Sequence, residues 1–176
     1  MRALDQLRKE HQVILRVAQR MEEAVCGRPD RELPETFLRA AVDFVRIYAD
    51  KNHHGKEEGA LFEIMSRNPR LAGMAAALEE EHVDNRAMID GVEQALDEHQ
   101  DQATRTAVLA FVSYIRAHIA KEDEMIFDAV ERELTAGDVA ELERAFADVE
   151  ADALGTGGAG PLLARLDAAL PAPTGA

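Results

Sequence analysis

HHGKEEGALFE, residues 53–63, lies in the middle of a segment whose apolar residues recur at helical spacing. A helix that buries one face rarely carries two imidazoles and two carboxylates at its centre. The same skeleton returns at residues 118–128 as HIAKEDEMIFD: His, two residues, Lys-Glu, an acid, two residues, an aliphatic, Phe and an acid. Two such elements on two helices point to a paired site.

Working outward, helix breakers divide the chain into blocks. The first runs from about Arg2 to Cys26 and stops at Gly27-Arg28-Pro29-Asp30. The second starts near Pro34 and reaches about Ser66, before Asn68-Pro69. The third covers about Pro69 to Glu98, and the fourth about Gln102 to Leu134, ahead of Gly137. A fifth spans about Asp138 to Leu154, followed by GTGGAG, a short amphipathic piece PLLARLDAAL, and a frayed end PAPTGA. Four long helices with short connections predict an all-α, up-down-up-down antiparallel four-helix bundle over residues 1–135. Residues 136–176 form a C-terminal helical extension of helix, Gly-rich linker and short terminal helix, packed outside the bundle or across one end. GTGGAG matches G-x-G-x-x-G formally, but no strand is expected before it and Pro161 follows at once, so it reads as a flexible linker.

Composition bounds the function. The 176 residues suit one domain with a full core. A net charge of −14 repels nucleic acid and anionic membranes, so neither is an expected partner. Cys26 is the only cysteine, which rules out an internal disulfide and fits a cytoplasmic protein. No apolar run approaches the ~18 residues of a membrane span.

At about 100° per residue, the inward stripe of the first helix holds Leu4, Leu7, Ile14, Ala18 and Val25, together with His11. The second holds Leu38, Val42, Val45, Ala49, Ala60 and Ile64 with His53 and Glu57; His54 falls at the margin and Glu58 further out. The third holds Met74, Leu78, Ile89, Val92 and Leu96 with His82 and Asn85. The fourth holds Val108, Val112, Ile115, Ile119, Ile126 and Val130 with Glu122 near its centre and His118 at its edge. At ~1.5 Å per residue, the four His levels agree within about one turn. Four imidazoles and two carboxylates therefore meet in one layer. Buried carboxylates cost several kcal/mol each, by order of magnitude, unless a cation compensates them. Lys56 and Lys121 each precede a Glu by one position and point away from it.

Nitrogen and oxygen donors without sulfur suit iron, manganese or zinc. The His-x-x-x-Glu spacing puts both side chains on one face, so each Glu can bridge two ions while its His caps one. Two octahedral ions need about twelve donors, and this set leaves roughly four positions open for a bridge or a small ligand.

The ordered set of His11 in KEHQVIL, His53 and Glu57 in HHGKEEGALF, His82 in EEEHVDN, and His118 and Glu122 in HIAKEDEMIF resembles the hemerythrin-like family, the HHE cation-binding domain. The resemblance implies that His11, His53, Glu57, His82, His118 and Glu122 ligate two Fe ions in an oxo- or hydroxo-bridged di-iron centre. It also implies a small diatomic or peroxide ligand. Oxygen-carrying members have a second His one turn from that of the third helix, where this chain has Leu78 and Arg86. They end on His-x-x-x-x-Asp, where this chain has Glu122 followed by Asp123. The closer likeness is to bacterial members and to iron-sensing and iron-centre-repair relatives. In the iron-sensing relative the residue after the second-helix His is also a ligand, here His54.

The remaining polar residues have plainer readings. Glu58 and Asp123 are expected to be solvated, Tyr114 to pack in the core or cap the site, and Asn85 to lie behind a ligand. His99 is expected at the surface, Cys26 as inert and the methionines as packing. The leading function is a non-haem di-iron protein that binds, senses or reacts with dioxygen, peroxide or nitric oxide, with room for weak peroxidase- or catalase-like activity. Ferritin-like iron oxidation would use Glu79-x-x-His82 and Asp50-x-x-His53; a metal-free helical interaction module is the third reading.

Overall fold

The computed structural model describes residues 2–27 and 32–170. Among these residues every regular element is helical. α1 is Arg2–Cys26. α2 covers residues 35–66 without a break: α-helical Glu35–Phe44, π-helical Val45–His54 and Glu57–Leu61, then α-helical Phe62–Ser66. α3 is Ala72–Asp97. α4 covers residues 101–133, with Asp101–Lys121 α-helical, Glu122–Ile126 π-helical and Phe127–Glu133 α-helical. These four form the antiparallel bundle, and α5 (Ala136–Leu154) and α6 (Gly160–Ala169) complete the chain. The expected breaker at Arg28-Pro29-Asp30 and the PAPTGA end lie outside the described residues.

Helix ends follow local chemistry. Asn68 delays α3 past Pro69, because its side-chain oxygen accepts from Arg70 N–H and its carbonyl from Leu71 and Ala72. α5 starts two residues ahead of Asp138, because Thr135 and Asp138 form a reciprocal capping box. GTGGAG makes one 3₁₀ turn at Gly155–Gly157 and has no strand before it. Gly155 and Gly158 take φ of 60° and 54°, where a side chain would be strained.

The core is split. One apolar cluster gathers the late residues of α1 (Ile14, Met21, Val25), the early ones of α2 (Phe37, Phe44), and Val92, Phe111, Ile115 and Leu166 of α6. The other gathers Leu4 and Leu7 of α1, Phe62 and Met65 of α2, Leu78 of α3, Phe127 and Val130 of α4, and Leu142 and Phe146 of α5. Between them lies a buried polar layer that contains His11, His53, His54, Glu57, His82, His118 and Glu122. α5 runs along α1 and the π-helical middle of α2, and α6 packs on the start of α2. Of the methionines, Met21 and Met65 are core residues, but Met125 is exposed. Among the described residues, no helix is long and apolar enough to cross a membrane.

Because Phe146 is buried in a cluster shared with the bundle, Phe146→Ala should lower unfolding free energy by about 3–5 kcal/mol, measured by urea denaturation. An α5 that merely rests on the surface would give a loss below ~1 kcal/mol.

Candidate metal centre

Both repeated elements depart from α-geometry at the layer itself. α2 is π-helical on either side of Gly55-Lys56, and α4 becomes π-helical at Glu122. A π-turn holds more residues than an α-turn, so consecutive side chains are closer in angle. That difference accounts for His54: a regular wheel places it at the stripe's margin, whereas the wider turn carries it fully inside, 1% exposed. His53 and His54 thus both face the layer, and Glu57 follows one turn on.

The inward donors fall into two sets, each with ligand atoms mutually within 4.8 Å: His11, His53, Glu57 and Glu122 in one, and His54, His82 and His118 in the other. The carboxylates stand between the sets. Glu57 Oε2 lies 3.5 Å from His53 Nε2 and 3.4 Å from His82 Nε2. Glu122 Oε2 lies 3.2 Å from His11 Nε2 and 3.4 Å from His118 Nε2. His11 and His53 approach Nε2 to Nε2 at 2.9 Å, and His54 stacks on His82 with centroids 3.8 Å apart.

Behind each ring stands an acid. Nδ1 of His11 meets Asp123 at 2.9 Å, that of His53 meets Glu10 at 3.0 Å, that of His82 meets Glu58 at 2.7 Å and that of His118 meets Glu81 at 2.9 Å. His54 Nδ1 is 3.6 Å from Asp50, beyond hydrogen-bond reach. An Nδ1–H donated outward leaves Nε2 as the free lone pair, the arrangement in which histidine ligates a cation.

The repeat in the sequence becomes a pseudo-two-fold. On α2, Glu57 reaches His82, Glu58 holds that ring's Nδ1 and Phe62 packs on it at 5.3 Å. On α4, Glu122 reaches His11, Asp123 holds its Nδ1 and Phe127 stacks on it at 5.5 Å. In return Glu10, just before His11, holds His53, and Glu81, just before His82, holds His118. Lys56 donates to Glu10, and Lys121 to Glu81. The Lys and the second acid of each element therefore buttress the neighbouring helix.

Electrostatics identify the strain. Burial, then the Glu122 carboxylate, pushes Glu57 well above the usual carboxylate range. Burial also opposes ionisation of Glu122, but His11, His118 and His53 outweigh it and hold it down at about 2. Burial works against a charge on His11 too, yet Asp123 and Glu122 raise it to about 9. His53 is depressed by burial and by His11, His54 falls to about 4 through burial, and burial also lowers His118. One imidazolium–carboxylate pair thus satisfies part of the layer, while His53, His54 and His118 are pushed toward neutral imidazoles and Glu57 toward a neutral acid. Among the described residues, twelve buried side-chain N and O atoms lack a hydrogen-bond partner, and eight of them belong to His54, Glu57, His82, His118 and Glu122. Such a concentration of orphaned donor atoms in an otherwise well-packed core fits cations between them.

Several residues sit elsewhere than expected. Glu58 and Asp123 are partly buried against His82 and His11 rather than solvated. Glu10 and Lys56 are both buried. The sequence reading passes over Glu10, whose clue is its place one before His11, and turns Lys56 away from Glu57 without giving it a role. Tyr114 is half-buried and its hydroxyl donates to the Glu81 carbonyl, so it supports the helix carrying His82 and does not cap the site. Asn85 is buried with an unpartnered amide nitrogen. His99 and Cys26 are exposed. Glu79 is exposed and Asp50 pairs with Arg86, so neither ferritin-type motif faces the layer as a pair.

The family model described as hemerythrin HHE cation-binding domain matches residues 2–130. Uncharacterized proteins of Mycobacterium bovis and of two strains of Mycobacterium tuberculosis are 22% identical over 163 residues, or 89% of this chain. The chain spans 64% of the length of these relatives. No solved structure matches at a significant level.

In the metal-free protein Glu57→Gln should be stabilising, by about 1–3 kcal/mol in chemical denaturation near neutral pH, since it removes a carboxyl that burial forces from its charged form. A destabilised metal-free variant would show that Glu57 is satisfied without a cation.

Proposed function

The chain belongs to the hemerythrin HHE cation-binding family, and from that premise we propose that it is a non-haem di-iron protein whose centre binds, senses or reacts with dioxygen, peroxide or nitric oxide. The observation that carries this reading is the placement of Glu57 and Glu122, each between a histidine of one donor set and a histidine of the other. That is the arrangement a pair of bridging carboxylates requires. His11 and His53 would serve one ion and His54, His82 and His118 the other, with Glu57 and Glu122 shared. Five imidazoles and two shared carboxylates would offer about nine of the roughly twelve donors that two such ions take, which would leave room for a small ligand. Iron, when bound, would supply the redox chemistry and the place for that ligand.

The protein's own part is to prepare the pocket. Asp123, Glu10, Glu58 and Glu81 stand against Nδ1 of four rings, so that with a cation bound each ring would keep its proton there and present Nε2 inward. Phe62 and Phe127 fix ring planes, and the two apolar clusters close the layer to bulk water from above and below. A small uncharged or diatomic ligand passes such walls more readily than a hydrated ion. The bundle over residues 1–135 is the unit proposed to carry the centre, with residues 136–176 as its extension. A cytoplasmic location belongs to the same proposal.

Anaerobic loading with ferrous iron, followed by oxygen exposure and metal analysis, should give about two irons per chain and near-ultraviolet charge-transfer bands. Glu57→Ala or Glu122→Ala should cut bound iron well below that ratio. His54→Ala should weaken one of the two positions by about 10–100-fold while sparing the other. Protein that stays colourless and metal-free after loading would overturn the proposal.

A further inference from the structure

The two halves of the layer follow one plan but differ in what lies outside them. Lys121 pairs with Glu81 near the surface, about a third exposed. Its counterpart Lys56 is fully buried, and besides Glu10 it donates to Glu150 of α5 at 3.0 Å. Gln6 ties the same group together, donating to Glu150 at 2.7 Å and to Glu10 at 3.3 Å. α5 comes so close here that a Cβ on Gly55 would lie 3.2 Å from Val149 Cγ1. A continuous run of polar contacts therefore leads from α5 through Glu150, Lys56 and Glu10 to Nδ1 of His53. Among the described residues, Lys121 and Glu81 of the other half pair with each other and Glu81 with His118, and no outer helix joins them in those contacts.

We propose that Lys56 and Glu150 are positioning residues of the metal centre: they fasten α5 to the carboxylate that orients His53, so that filling the centre and docking α5 stabilise each other. The inference rests on the reading of the layer as a metal site. A fully buried ammonium is tolerated only while its acids stay in place, so Lys56 demands both Glu10 and Glu150. A cation on His53 Nε2 fixes the ring, which fixes Glu10, which leaves Lys56 and α5 a single arrangement. Linkage makes the effect reciprocal: whatever loosens α5 must weaken the metal by the same factor.

Lys121 gives the molecule its own control. Hydrogen exchange across residues 136–154 would be followed in metal-free full-length protein and after anaerobic loading with ferrous iron, with metal counted in the same samples. Loading should slow α5 exchange by about 5-fold or more in the wild type. Lys121→Met should keep that slowing. Lys56→Met and Glu150→Gln should lose it while still binding metal, with affinity lower by about the factor of the lost slowing. If Lys56→Met does not fold, Glu150→Gln, at a half-exposed position, decides alone. Two bound ions with unchanged α5 exchange would overturn this inference and leave the proposed function standing, as would equal loss in Lys121→Met and Lys56→Met. A wild type that binds no metal would remove both.

Discussion

The arrangement depends on one electrostatic constraint: two carboxylates, Glu57 and Glu122, lie fully buried in the middle of a helical bundle among five imidazoles. Protein interiors rarely hold such groups, because each loses its hydration and gains nothing unless a partner replaces the water. His11 compensates Glu122 in part, and Glu57 has no equivalent. The helices are long enough to have placed this layer near an end, where water could reach it. Instead it divides the core into two apolar clusters, which makes its polarity expensive and its contents well ordered.

The surrounding structure is organised to hold that layer. Each repeated element orients the ring on the helix beside it rather than only its own histidine, through an acid on Nδ1 and a phenylalanine on the ring face. Crossed bracing of this kind makes the four helices interdependent at their common level. The π-helical turns let the chain present His53, His54 and Glu57 together, which a regular α-helix would spread over a wider arc. α5 adds an asymmetric element on the His11 and His53 side, where it buries Lys56.

Much of this was legible in the sequence. Apolar periodicity located the helices and their inward faces, and the matched depth of His11, His53, His82 and His118 foretold the layer. Periodicity also set limits. A wheel drawn at constant pitch left His54 on the margin, because a π-turn has no signature in apolar spacing. Glu58 and Asp123 read as solvated because they sit beside the stripe, not on it, and apolar spacing does not single out Glu10 or Glu81 at all. Their role depends on the neighbouring helix, which no single-helix pattern contains. Lys56 reads as turned away from Glu57, and only the packing of α5 shows that it ends on Glu150.

The most direct test is anomalous diffraction at the iron edge from crystals of the iron-loaded protein. Two peaks should appear within the layer, one against His11 and His53 and one against His54, His82 and His118, both within ligand distance of Glu57 and Glu122. An empty layer, with those carboxylates bonded to the histidines or iron confined to the surface, would contradict the account.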